Sequence, residues 1–170
     1  MGKVVIIGSG GSGKSTLARQ LGEKLKINVL HLDSLFWKPG WVETQREEWI
    51  DSQQELVKIE SWIMDGNYSG TMDIRLNAAD TIIFLDIPRI ICIYRAFKRM
   101  IQYRNKRRPD MGEGCYERFS FKFFKWIWQY PKLRKPKILK KLEKLSKEKE
   151  VIVLKSPKDV EGFIKNYNNH

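Results

Sequence analysis

A parallel α/β sheet of five strands, covered by helices on both faces, is the fold class the sequence predicts. Three observations carry it. Five short apolar runs recur along the 170 residues, each followed by a stretch in which apolar positions return at helical spacing. The runs are continuously apolar rather than alternating, as strands buried on both faces must be. The first run leads through a glycine-rich loop straight into a helical pattern, the order that a phosphate-binding turn requires.

The elements follow in order. Residues 3–7 (KVVII) read as a buried strand, and Leu17, Leu21 and Leu25 mark the helix that begins near Lys14. Residues 27–32 (INVLHL) read as a second strand ending at Asp33. Thr44 with Glu47 has the spacing of a capping box and opens a helix expected to reach about Glu60. Trp62 to Met64 is a third strand ending at Asp65 and Gly66, and Thr81 to Leu85 a fourth ending at Asp86. Pro88 then opens a helix to about Arg104. Pro109, Gly112 and Gly114 make 105–115 a loop, helical spacing returns over 116–130, breaks at Pro131, and resumes over about 135–148. Val151 to Leu154 is the fifth strand, and Ser156, Pro157 and Asp159 cap a last helix. The whole reads as one domain over 1–170, with a lid or insert over about 89–135.

Residues 8–15, GSGGSGKS, fit the pattern G-x-x-x-x-G-K-[ST]. Gly8 and Gly13 permit close backbone approach, with Gly10, Gly11 and Ser12 forming the turn between them. Backbone N–H groups here wrap the phosphates of a nucleoside triphosphate such as ATP, and Lys14 adds a point charge for the β and γ phosphates. The Ser15 hydroxyl suits a magnesium position, with Thr16 close behind. The positive end of the following helix points at the same anion.

Composition narrows the class further. A hydrophobic content of 42% sustains a core, and no apolar stretch approaches a membrane span or a signal peptide, so a cytoplasmic protein with no membrane partner is expected. Cys92 and Cys115 are too few for a disulfide framework or a four-cysteine zinc site. Charge is lopsided: residues 1–88 hold 9 Lys+Arg against 12 Asp+Glu, whereas residues 89–170 hold 23 against 8. The basic half suits an arginine-rich lid closing over phosphates, a nucleic-acid surface, or a solvated basic helix face, the last best matching the lysines of 132–149.

Ligands of such sheets gather beyond the carboxyl ends of the strands, where Asp33, Asp65 and Asp86 each stand. Each could hold magnesium through water, take a proton from an acceptor hydroxyl, or cap a turn. Trp37, Pro39, Gly40 and Trp41 form an aromatic turn after Asp33, able to line an acceptor pocket or to cover the core edge. Phe119, Phe123, Trp126, Ile127 and Tyr130 fall at helical spacing and suit packing of a lid helix. Aromatics beside lysines also suit stacking of unpaired bases. His31 is expected at a strand end without catalytic duty, and His170 as a terminal residue.

Several blocks together carry a family resemblance: GSGGSGKST, HLDSLFWKPGW at 31–41, WIMDGNY at 62–68, FLDIPR at 84–89 and RRPDMGEGCYERF at 107–119. The chain resembles the DNA topology modulation protein family, within the adenylate-kinase-like P-loop kinases, over residues 1 to about 130. The resemblance implies a three-layer P-loop NTPase fold, strand order 2-3-1-4-5 and a helical lid. It implies Asp65 at the Walker B position holding a magnesium-bound water, and Asp33 facing the acceptor as a base, with Asp86 the weaker candidate. Where adenylate kinases carry an arginine after DG, this chain offers Asn67 and Tyr68, with Arg75 the nearest arginine, as acceptor-binding residues. Arg95 and Arg99 are implied as lid or nucleotide contacts, and Arg104, Arg107 and Arg108 as phosphate clamps. The activity so implied is a kinase for a nucleoside-like or other small acceptor; a nucleotide-gated DNA-binding regulator with weak NTPase activity is the alternative.

Overall fold

A computed structural model describes residues 1–167, so His170 lies outside the described residues. Five strands, β1 (Lys3–Gly8), β2 (Val29–His31), β5 (Trp62–Asp65), β6 (Thr81–Leu85) and β7 (Glu150–Leu154), form one sheet in the order β2-β5-β1-β6-β7. Every neighbouring pair is parallel. Counted within the sheet this is the order 2-3-1-4-5, and the three-layer α/β/α fold stands as expected.

The sheet is buried because its strands are apolar on both sides. Val5, Ile7, Met64, Ile82 and Phe84 face one layer with Trp49, Leu76, Ile138 and Leu142. Val4, Ile6, Ile63, Ile83 and Leu85 face the other with Leu17, Leu21, Cys92 and Ala96. Each such side chain fully removed from water contributes about 1.5–3 kcal/mol. The register pairs Asp65 with Ile6 on one side and His31 on the other, and so fixes which side chains meet at the carboxyl edge.

Helices α1 (Lys14–Leu25), α5 (Arg89–Gln102) and α8 (Pro157–Asn166) belong to the second layer; α3 (Arg46–Leu56), α4 (Met72–Ala78) and α7 (Lys135–Leu145) belong to the first. Helix α6 (Phe121–Leu133) gives Ile127 to one layer and Tyr130 to the other, crossing the sheet edge. No helix among the described residues is long and apolar enough to cross a membrane.

Four boundaries differ from expectation, each for a local reason. The second strand stops at His31, and Leu32–Phe36 form a short helix α2, so Asp33 sits in a helical first turn rather than at a strand end. No capping box forms at Thr44, whose hydroxyl donates to the Phe36 carbonyl at 2.6 Å; α3 starts at Arg46 instead. That bond closes a small hairpin of β3 (Trp37–Lys38) and β4 (Val42–Glu43), which the aromatic turn concealed. Helix α6 starts at Phe121, capped by Ser120, because Tyr116 and Glu117 pair with Arg107 and Arg104 as bridges. It also runs through Pro131 to Leu133, giving up one i→i−4 bond in its last turn.

Candidate active site

The loop between β1 and α1 is shaped by its glycines. Gly11 (φ 74°) and Gly13 (φ 95°) are left-handed, and a Cβ on Gly11 would collide with the Cys92 carbonyl of α5. Gly10 abuts Phe123 of α6, so the loop is clamped between two helices. Lys14 Nζ donates to the carbonyls of Gly8 (3.0 Å) and Ser9 (2.8 Å), which aims the ammonium along the loop. Burial pushes the Lys14 pKa down, opposed by the charges of Asp33 and Asp65. The hydroxyls of Ser9 and Ser12 are buried without partners, donors left for something the loop encloses. Thr16 is exposed on the first turn of α1.

Beside the loop, Ser15 Oγ donates to Asp65 Oδ2 at 2.6 Å. This contact follows from topology: β5 lies next to β1, and the Ile6–Asp65 register brings the carboxylate to the start of α1. Ser15 also approaches Asp110 Oδ2 at 3.3 Å. A hydroxyl and a carboxylate suit magnesium, which takes one or two protein oxygens and completes its octahedron with water and phosphate. Among the described residues no group of three His, Cys, Asp or Glu side chains forms a metal cage.

His31 Nδ1 lies 2.6 Å from Asp65 Oδ1, a partnership the sequence reading missed. Burial would lower the imidazole pKa, but the hydrogen bond and charge of Asp65 outweigh it and raise it. The signal was present in the strand order, which places His31 directly opposite Asp65. Asp110 was missed because it sits among arginines in a segment read only as a basic loop.

The residues expected to bind an acceptor are brought together, but several are engaged with the fold. Asn67 Nδ2 donates to the Gly8 carbonyl (2.6 Å) and its Oδ1 accepts from Gly8 N (3.2 Å), tying the segment after β5 to the phosphate loop. Tyr68, left-handed at φ 41°, donates its hydroxyl to Asp33 Oδ1. Burial and the Asp33 charge push the Tyr68 pKa far up, so the phenol stays a donor. Arg75 does not face an acceptor: it is completely buried, donating to Gln53 Oε1, Thr71 Oγ1 and the Asn67 carbonyl. Burial lowers its pKa to about 10. Its work is to hold the 67–71 turn.

Trp41 likewise serves as a dock. Its indole N–H donates to the Tyr116 carbonyl (3.0 Å), Gly40 N donates to the Gly114 carbonyl, and the Arg118 guanidinium lies 5.2 Å from the Trp41 ring. Trp37 packs edge-on against Phe36 and Trp41, and its carbonyl and that of Lys38 face the buried Cys115 thiol. Segment 103–120 is thereby fastened over α2 and the hairpin. Asp86 is held by Lys135 at 2.8 Å.

Arginines converge from α5 and the 103–120 segment. Arg95 Nη1 donates to the Ser12 carbonyl at 3.4 Å. Arg99 has a buried, unpartnered Nε, and burial followed by the like charge of Arg108 lowers its pKa. Arg108 is 6% exposed and pairs with Glu117 (3.2 Å) and Asp110 (3.5 Å), whereas Arg107 points outward and Arg104 is exposed. One arginine of the expected trio is therefore built into the site.

No protein-family model and no curated protein sequence matches the chain. Solved structures do. A shikimate kinase from Acinetobacter baumannii in complex with shikimate is 13% identical, with 99% of this chain and 92% of that chain covered at a TM-score of 0.61. A gluconokinase from Sinorhizobium meliloti 1021 is 11% identical, covering 98% and 89% at 0.56. A deoxyadenosine kinase from M. mycoides with dCMP and dCDP bound is 14% identical, covering 98% and 96% at 0.52. At such identities the likeness establishes the fold, that of P-loop kinases.

Proposed function

We propose that the chain is a small-molecule kinase that uses ATP and magnesium and moves the γ-phosphoryl group to a hydroxyl or phosphate of a nucleoside-like or other small acceptor. The observation that carries this reading is the 2.6 Å bond from Ser15 Oγ to Asp65, beside Lys14 and at the mouth of the phosphate loop. An acceptor oxygen attacks the γ phosphorus, the bond to the β–γ bridging oxygen breaks, ADP departs, and the acceptor proton passes to Asp33. Ser15, and Asp65 through water, would hold magnesium, which would supply positive charge beside the phosphate oxygens. Lys14, Arg95, Arg99 and Arg108 hold the phosphate oxygens and spread the charge that develops on transfer. Segment 103–120 is the lid, and its dock on Trp41 excludes water from the transferring group.

The kinase names among the structural neighbours support this class of activity. Placement with the DNA topology modulation proteins rests on the sequence blocks alone. In the basic second half Lys135 is engaged with Asp86, Lys141 with Asp73, Arg108 with Asp110 and Glu117, and Lys149 with the carbonyls of Asn77 and Ala79, four of the 23 Lys and Arg side chains there. The kinase names of the structural neighbours favour the kinase over the nucleic-acid surface.

A panel of nucleosides, nucleotides and sugars incubated with labelled ATP tests the proposal. Transfer to at least one acceptor above the rate of water hydrolysis is expected; hydrolysis alone across the panel defeats it. Duplex DNA affinity that falls steeply with log salt and responds to nucleotide would instead support the regulator.

A further inference from the structure

Next to the phosphate loop lies a groove of about 360 Å³ between the turn after β5 and helices α6 and α7. Its wall toward the loop is Asn67, whose amide is bonded to Gly8, so the groove and the phosphate site share a partition one side chain thick. Tyr68, Trp126 and Tyr130 give it flat surfaces, and Met72 and Ile138 give it an apolar floor.

Polar features on the groove converge on an anion. Arg134 and Lys137 line it, and among the described residues neither has a carboxylate partner. Lys141, the third cation, is drawn off by Asp73 at 2.5 Å. Tyr130 is 4% exposed, and its hydroxyl is buried with no hydrogen-bond partner. A buried hydroxyl without a partner costs about 1–3 kcal/mol, a cost removed by a ligand that accepts from it. Burial, and then the Asp86 charge, push the Tyr130 pKa up, so the group remains a proton donor.

The geometry points to this groove as a second ligand site beside the phosphate loop, taking a small molecule built on a planar or apolar ring that carries one carboxylate or phosphate group. The ring lies against Tyr68 and Trp126, the anion meets Arg134 and Lys137, and the Tyr130 hydroxyl donates to an oxygen of the ligand. Binding at this groove does not depend on the kinase reading above.

Calorimetry without any triphosphate tests it on the whole chain. One arm uses AMP, GMP, CMP and UMP against the matching nucleosides; the other uses benzoate and cyclohexanecarboxylate against benzyl alcohol. Saturable uptake of a member of either arm, at least about 10-fold tighter than its neutral counterpart, is expected from charge-assisted bonding, and the arm that responds identifies the anion. The double variant Arg134→Ala/Lys137→Ala should lose that uptake by about 10-fold or more, and Tyr130→Phe by about 3–10-fold. Lys14→Ala should keep it. No anionic probe binding, neutral probes binding equally well, or unchanged affinity in the double variant would each overturn the inference. Triphosphate uptake measured separately on the same variants keeps the two claims apart: a chain that takes triphosphate but no ring anion loses the groove assignment alone, and the reverse loses the kinase reading alone.

Discussion

Tyr68 and Asp33 are joined across the site by a 2.5 Å bond from the phenol to Oδ1, although 35 residues separate them and they stand on different elements. The bond ties Asp33 of α2 to the turn that follows β5. If Asp33 accepts the acceptor proton, Tyr68→Phe alters that carboxylate without touching the phosphate loop. The variant should change kcat and acceptor KM, keep triphosphate affinity, and lose about 1 kcal/mol of stability. Steady-state kinetics beside a urea melt separates these effects; unchanged kinetics would remove the pair from catalysis.

Arg75 should behave as a structural residue. Replacing it with Ala strands two buried acceptors, at Gln53 and Thr71, and the partly buried Asn67 carbonyl, and opens space in the core. A loss of about 2 kcal/mol or more is expected, read as a lower urea midpoint at constant slope. Arg75→Lys should rescue only part, because one ammonium cannot reproduce the planar fork. Loss of acceptor affinity at full stability would return Arg75 to the binding site.

The lid arginines divide by burial. Arg108, inside and paired with Asp110 and Glu117, should control turnover; Arg107, pointing outward, should matter little. Arg108→Ala is expected to lower kcat by about 10²-fold or more with triphosphate affinity changed far less, as for charge applied only during transfer. Equal effects of the two single variants would contradict the assignment.

Acid sensitivity has an identifiable contributor at the sheet's opposite end. Asp80 Oδ2 accepts from the backbone N–H groups of Gly2 (2.7 Å) and Lys3 (2.8 Å). Burial would raise its pKa, but these bonds and the Thr81 hydroxyl outweigh it and hold the carboxyl below its ordinary 3.8. A depressed folded pKa stabilises above the unfolded value and is lost as pH falls through the folded one. Wild type should therefore lose stability below about pH 4 more steeply than Asp80→Asn. Parallel acid melts of the two would contradict it.

How much of this was legible in the sequence depended on range. The phosphate loop and the five strands were readable because motif and apolar runs are local, and the strand order followed once the kinase resemblance was granted. Hairpin β3–β4 was hidden because two-residue strands have no period, and Thr44, with the spacing of a cap, bonds back to Phe36 instead. Arg75 looked like an acceptor ligand because the charge of an arginine is visible in sequence and its burial is not. His31 needed the pairing of β2 with β5 before its link to Asp65 could be seen. Asn67, expected from the resemblance to bind an acceptor, closes its amide on Gly8, a contact across 59 positions that no spacing rule encodes.

The central claim is that the loop before α1 holds a triphosphate with magnesium through Lys14. Calorimetry of ATP and GTP with magnesium, on wild type and Lys14→Ala, tests it most directly. Saturable uptake by wild type, weakened at least about 10-fold in the variant by loss of a charge-assisted contact, is the predicted result. A folded wild type that takes up neither nucleotide, or a variant that binds as tightly as wild type, would contradict it.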